Sequence, residues 1–159
     1  MKDQSIGEIM NRDLLLAHEG MTVGELATFL TENEISGAPV VNEQGRLTGV
    51  VSLADVGRAA ARSGKITPDR SGPDFYLRDW EDAYNAEDLQ RLHVENGDVA
   101  VRDIMTRTIH SVTEETPVRD VAQAMVKAHV HRLLVTGSDE NIPVGIVSTM
   151  DLLQVIARD

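Results

Sequence analysis

Hydrophobic and polar positions along this chain alternate between a helical and an extended period. Val23, Leu26, Ala27 and Leu30 recur at i, i+3, i+4 and i+7, which lays one apolar stripe along a helix. Thr22 stands just before that stripe and Glu25 three residues on, a pairing that caps a helix N-terminus from both sides. The flanking pattern is that of short strands. Residues 14–17 and 38–41 are compact apolar runs, and 46–52 is a third, set off by the turn residues Asn42, Glu43, Gln44 and Gly45. Pro39 lacks an N–H, so its strand is expected at a sheet edge or with Pro39 near its start. Residues 53–62, rich in alanine, read as a second helix that stops near Ser63-Gly64. Upstream, residues 5–10 form a short helical turn with Ser5 as N-cap.

The same order begins again at Val101. Val101-Arg102-Asp103-Ile104-Met105 matches Ile6-Gly7-Glu8-Ile9-Met10. Residues 109–112 form a short strand, and Thr116 caps a helix with Pro117 at its first position. Val118, Val121, Ala122 and Met125 repeat the apolar stripe. The shift is 95 residues from Val23 and Val118 through Val40 and Val135. One extra residue in the second hairpin loop makes it 96 for Gly49 and Gly145, Ser52 and Ser148, Asp55 and Asp151. Each unit is β-α-β-β-α, so the expected class is α/β (α+β). A unit of about 50 residues is too small to bury its own strands well. Two units packed by pseudo-two-fold symmetry are the expected solution. The chain then divides into a first motif at 1–63, an insert at 64–100 and a second motif at 101–159.

The insert does not repeat. It carries Pro68, Gly72 and Pro73, then the acidic residues Asp74, Asp79, Glu81, Asp82, Glu87, Asp88, Glu95 and Asp98. It also holds Phe75, Tyr76, Trp80 and Tyr84, every aromatic in the chain except Phe29. Residues 86–93 have helical composition, so the insert is an inserted linker of partly helical character. A disordered linker would be poor in aromatics. Two readings are open: a local mini-core that ties down a long connection, or a surface that docks on a partner.

Composition narrows the function. A chain of 159 residues is about one domain. The net charge of −11 argues against duplex nucleic acid as the main partner, because such affinity comes from Lys and Arg on phosphates. A small phosphorylated ligand remains compatible, since one or two cations and backbone N–H groups suffice. Absence of cysteine excludes disulfides, thiolate chemistry and Cys-ligated metals. No apolar run approaches the ~18 residues of a membrane span, and the first residues lack a signal-peptide stretch. A cytoplasmic protein with no membrane partner is expected. No nucleophile–base set, Gly-rich phosphate loop or HExxH is present, so the expectation is not an enzyme.

The repeat resembles the CBS-domain family, as a tandem pair (a Bateman module). The residues that carry the resemblance are Ile35-Ser36-Gly37-Ala38-Pro39-Val40-Val41 with Gly49-Val50-Val51-Ser52-Leu53-Ala54-Asp55. Their second copy is His129-Val130-His131-Arg132-Leu133-Leu134-Val135 with Gly145-Ile146-Val147-Ser148-Thr149-Met150-Asp151. The resemblance implies two motifs packed through their sheets, with two clefts between them. It implies adenosine-containing ligands (AMP, ADP, ATP or S-adenosylmethionine) and a regulatory module that transmits occupancy to another protein. It also implies association into a homodimer. Its alternative is a constitutive dimeric interaction module with empty clefts, acting through the 64–100 insert.

Within that resemblance, Ser-x-x-Asp acquires a chemical reading. An ionised carboxylate can accept from both hydroxyls of a ribose, which nominates Asp55 and Asp151. Hydroxyls at a helix N-terminus suit a phosphate, which nominates Ser52, Ser148 and Thr149. By position in the family, Leu14 and Ile109 line the adenine slots, with Ala38 and Pro39 or Leu133 and Leu134 opposite. Arg132 is a permanently charged, bidentate candidate for phosphate, and His131 beside it would make affinity pH-sensitive. Glu34, Ser36 and Gly37 stand at the positions aligned with His129, His131 and Arg132, so the two sites are not equivalent. His129 and His131 would share a strand face, but no third metal ligand is apparent. The competing reading of Ser-x-x-Asp is a plain capping box, worth about 1 kcal/mol and requiring no ligand.

Overall fold

Most caps and turns of the first motif stand where the local pattern puts them in the computed structural model, which describes residues 4–61, 74–77 and 99–158. A 3-10 turn spans Ile6–Glu8, and Ser5 closes it by donating its N–H to Glu8 Oε2 at 2.8 Å. Helix α1 is Val23–Glu32. Glu25 N–H donates to Thr22 Oγ1 at 3.0 Å, and Thr22 N–H donates to Glu25 Oε1 at 3.1 Å. Val23, Leu26, Ala27 and Leu30 are all buried, as the stripe requires. The hairpin of β2 (Gly37–Val41) and β3 (Leu47–Ser52) closes through Asn42 Oδ1, which accepts from Gln44 and Arg46 N–H, while Gly45 takes φ +76°. Helix α2 is Leu53–Ala61. The predicted stop at Ser63-Gly64, the 86–93 helix, Trp80 and Tyr84 lie outside the described residues.

The second motif copies the first. Its elements are β4 (Ser111–Thr113), α5 (Val118–Ala128), β5 (Arg132–Thr136), β6 (Pro143–Ser148) and α6 (Thr149–Arg158). One sheet has order β1-β2-β3, with β1 at Ala17–His18, and the other β4-β5-β6. The registers correspond residue by residue. Ala17 pairs with Val40 as Val112 pairs with Val135, and Gly37 pairs with Ser52 as Arg132 pairs with Ser148. In both, the β1 or β4 pairing is parallel, which needs the helical crossover that α1 and α5 supply. Both first helices end on a left-handed residue, Glu34 (φ 54°) and His129 (φ 56°). The next N–H then reaches back to the helix, Ile35 to the Leu30 carbonyl and Val130 to that of Met125. Among the described residues no helix is long and apolar enough to cross a membrane.

Five local expectations change. The leucine run at 14–16 is not strand: Leu14 N–H turns back to the Arg12 carbonyl, and pairing with β2 begins only at Ala17. Likewise β4 begins at Ser111 rather than Ile109. The N-cap of α5 is Pro117 rather than Thr116, whose hydroxyl instead meets that of Thr113 at 3.1 Å. His129 ends helix α5, so it does not share a strand face with His131. Pro39 sits in the central strand of its sheet, yet β1 pairs only with Val40 and Val41. On that side Pro39 has no strand neighbour, which is how a residue without an N–H is accommodated there.

Packing boundaries also differ from repeat boundaries. The chain forms two units, Leu15–Thr108 and Met1–Leu14 with Ile109–Asp159. The opening segment of each motif is therefore built into the unit of the other. In the second unit, Ile6 N–H bonds the Thr116 carbonyl at 2.8 Å, and Asn11 and Ile146 exchange backbone bonds of 2.8 and 3.0 Å. In the first, Val101–Ile104 is a short helix, α4, whose Val101 N–H bonds the Met21 carbonyl at 2.8 Å. Val50 and Thr106 there exchange two bonds of 2.8 Å. Strands β3 and β6 are sheet edges, and these segments pair their open sides. Between α2 and α4 lies α3 (Asp74–Leu77), which packs on β3. Its Phe75 and Tyr76 rings are buried and meet edge to face at 5.1 Å, and Tyr76 Oη–H donates to the Thr108 carbonyl at 2.8 Å.

The crossing leaves no room for side chains at two repeated glycines. A Cβ on Gly49 would stand 2.6 Å from the Thr106 carbonyl oxygen and 2.9 Å from Met105 Sδ. On Gly145 it would stand 2.5 Å from Met10 Sδ and 3.0 Å from the Asn11 carbonyl oxygen. Backbone yields less readily than a methionine side chain. Gly49→Ala is thus expected to cost about 2–3 kcal/mol and Gly145→Ala about 1–2 kcal/mol, within the range for overpacking. Urea midpoints measure both, and equal midpoints for the two variants and wild type would contradict the crossing.

Candidate functional site

Each sheet ends at a strand-to-helix corner, and the two corners share a cap. At the first, Ser52 N–H and Oγ–H donate to Asp55 Oδ2 at 2.8 and 3.3 Å, and Asp55 N–H points back to Ser52 Oγ at 3.4 Å. At the second, the same bonds join Ser148 and Asp151 at 2.8, 3.1 and 3.3 Å. The first helical N–H is held in the same way too. Leu53 N–H donates to the Ser36 carbonyl and Thr149 N–H to that of His131, both at 2.9 Å. The capping reading of Ser-x-x-Asp is therefore present in both copies. It engages one carboxylate oxygen and leaves the other to the surroundings.

Those surroundings differ. Ser52 and Asp55 are 1% and 4% exposed, and Asp55 Oδ1 forms an ion pair with Arg58 one turn along α2. Ser148 and Asp151 are half-buried. Among the described residues, nothing but Ser148 hydrogen-bonds the Asp151 carboxylate. Gln154 stands at the position aligned with Arg58. Burial pushes the Asp55 carboxyl above its ordinary value of 3.8; the Ser52 N–H and the Arg58 charge oppose it without cancelling it.

The other candidates fall into place around these corners. Arg132 opens β5, half-buried, opposite Ser148. His131 is exposed. Thr149 is half-buried at the start of α6, and Ile109 is half-buried in the same unit as Leu133 and Leu134, which are buried. Ala38 and Pro39 are buried in β2. Leu14, half-buried, belongs to the second unit, whereas Ala38 and Pro39 belong to the first. A depression of about 540 Å³ along α1, between Met21 and Glu32, includes none of the candidates. No group of three or more potential metal ligands occurs among the described residues.

The family model of the CBS domain matches residues 6–62 and 101–158. The chain belongs to the CBS domain family. An uncharacterized protein of Methanocaldococcus jannaschii is 28% identical to this CBS chain over 155 residues, 95% of this chain and 90% of that one. A chloroplastic CBS domain-containing protein of Arabidopsis thaliana, CBSX1, is 32% identical over 91% of this chain, which spans only 60% of that protein. Among solved structures, Arabidopsis CBSX2 in complex with AMP aligns with a TM-score of 0.67 at 22% identity, over 98% of this chain and 97% of that one. The CBS pair of MJ0100, in complex with 5'-methylthioadenosine and S-adenosyl-L-methionine, aligns with a TM-score of 0.66 at 22% identity, over the same shares.

Two residues of the first CBS corner escaped the motif. Arg58 follows Asp55 at i+3, a spacing at which opposite charges meet on a helix, so the signal was available. Ser36 is buried, and its hydroxyl has no hydrogen-bond partner among the described residues, which only packing reveals. A raised carboxyl pKa sets the sign of the pH dependence. The folded chain holds the Asp55 proton more tightly than the unfolded chain. Its stabilising contribution is full below the ordinary value and is lost as pH rises through the raised folded value. The stability of wild type relative to Asp55→Asn is expected to fall as pH rises above the ordinary value of 3.8, read from urea midpoints across a pH series. A difference that grows with pH would contradict the assignment.

Proposed function

We propose that this CBS pair is a regulatory module that binds an adenosine-containing ligand (AMP, ADP, ATP or S-adenosylmethionine) and passes its occupancy to a partner protein. The observation that carries this reading is the Asp151 carboxylate, held in place through one oxygen by Ser148 and, among the described residues, unengaged at the other. Such a group is oriented in advance to accept from a ribose diol. The α6 N-terminus beside it, with the Ser148 and Thr149 hydroxyls and Arg132, suits a phosphate. Ile109, half-buried in the same unit, supplies apolar surface for a base. The AMP complex of CBSX2 and the methylthioadenosine and S-adenosylmethionine complex of MJ0100 support the ligand class. The role is binding, not catalysis. Regulation follows only if the ligand prefers one arrangement of the chain over another.

Thermal-shift measurements with AMP, ADP, ATP and S-adenosylmethionine test the reading. Ligand at 100-fold above Kd is expected to add about 2.7 kcal/mol of stability. Asp151→Asn removes that shift and Ser148→Ala reduces it. No shift with any of the four leaves the second reading, a constitutive interaction module.

One observation favours self-association under either reading. Helix α6 exposes Met150, Leu153 and Ile156, at 45%, 55% and 53%, spaced three residues apart on one face, and α5 beside it exposes Val126. We assign this face to a homodimer contact. Leu153→Glu is expected to shift sedimentation from dimer to monomer while leaving the circular dichroism spectrum intact; an unchanged sedimentation coefficient, or a monomeric wild type, removes the assignment.

A further inference from the structure

The two corners have the same backbone and the same cap, so a difference in ligand binding must come from what surrounds the carboxylates. At the first corner every oxygen of Asp55 is engaged. Ser52 holds Oδ2 through its N–H and hydroxyl, and Arg58 holds Oδ1. The Asp55 side chain is 4% exposed and that of Arg58 21%, so their attraction is only weakly screened by water. At the second corner Gln154 replaces the guanidinium, and Asp151 keeps an oxygen without a partner among the described residues. A vicinal diol needs free carboxylate lone pairs. To use Asp55 it would first have to displace a cation from a buried anion.

We infer that Arg58 is a latch on the first corner: it occupies the carboxylate a ribose would take, so the chain binds one nucleoside, at the second corner, and keeps the first as a latent site. This rests on the nucleoside reading above. Apparent affinity at a site falls in proportion to the fraction of molecules in which that site is open, and the ion pair makes that fraction small. A second, independent feature marks the first corner as unfinished. Ser36, whose carbonyl holds the first N–H of α2, has a buried hydroxyl without a partner among the described residues. A buried hydroxyl left unpaired is a cost that a polar ligand can relieve. The aligned residue at the second corner, His131, is exposed.

Isothermal titration calorimetry of the full chain with AMP, ADP, ATP and S-adenosylmethionine tests this. Wild type is expected to bind one molecule per chain, and Asp151→Asn to weaken that binding more than tenfold. Arg58→Gln, which gives the first corner the residue of the second, is expected to bind two, and Arg58→Gln with Asp151→Asn to bind one. Arg58→Met serves where the glutamine variant fails to fold, and circular dichroism checks both. Two equal sites in wild type would overturn the latch, as would a single site in the folded Arg58 variants. Weaker binding on loss of Arg58 would also overturn it, making that residue a phosphate contact rather than a competitor. These outcomes leave the nucleoside reading standing. Absence of binding by every variant to all four probes would remove that reading and the latch together.

Discussion

Two pairs of reciprocal backbone bonds, Val50 with Thr106 and Asn11 with Ile146, close the edges of the two sheets. Each pair lies two residues before a capping serine. The strand that delivers the serine is thereby held on both sides, by its hairpin partner and by the crossing segment. An edge strand held on one side only would present a row of open N–H and carbonyl groups and could fray or slip. The glycine next to each pair is part of the same constraint, because the crossing backbone takes the space a Cβ would need. The corners inherit their rigidity from this arrangement, and a site gains from supporting elements that do not move.

At those corners the chain uses one group for two ends. The aspartate that accepts from the serine N–H to close the helix uses one oxygen for the cap and keeps the other for a different partner. Capping and ligand binding therefore do not compete for the same lone pairs. What separates the copies is the fate of that second oxygen. In the first it meets a guanidinium in a buried setting, where desolvation still outweighs the stabilising partners and raises the carboxyl pKa. In the second it lies at a half-buried position, and nothing but Ser148 hydrogen-bonds the carboxylate among the described residues. Duplication preserved the backbone device, and side-chain substitutions, Arg58 against Gln154 and Gly37 against Arg132 among them, made the copies electrostatically unlike.

The insert contributes to packing through its aromatic residues. Phe75 and Tyr76 lie at 1% exposure against the first sheet, and the Tyr76 hydroxyl meets a carbonyl rather than standing unpaired. That accords with the mini-core reading for this stretch of the insert. Thr108, which accepts the bond, follows the crossing segment that pairs with Val50, so the insert and the crossing brace the same strand.

The sequence by itself determined the elements whose hydrogen bonds close within a few residues. The Thr22–Glu25 box, the Asn42–Gly45 turn, the Ser52–Asp55 and Ser148–Asp151 caps and the apolar stripes of α1 and α5 were all legible, because each is set by spacing along the chain. So was the duplication, and with it the family. The exchange of opening segments was not legible. Residues 6–10 and 101–105 are near copies, so local pattern fits either to either sheet, and only the chain's path through three dimensions chooses. The same holds for the burial of Asp55, the unpaired Ser36 hydroxyl and the non-strand path of Leu14. Those depend on what stands opposite, and a residue's opposite number across a fold is decided by tertiary packing rather than by its neighbours in sequence.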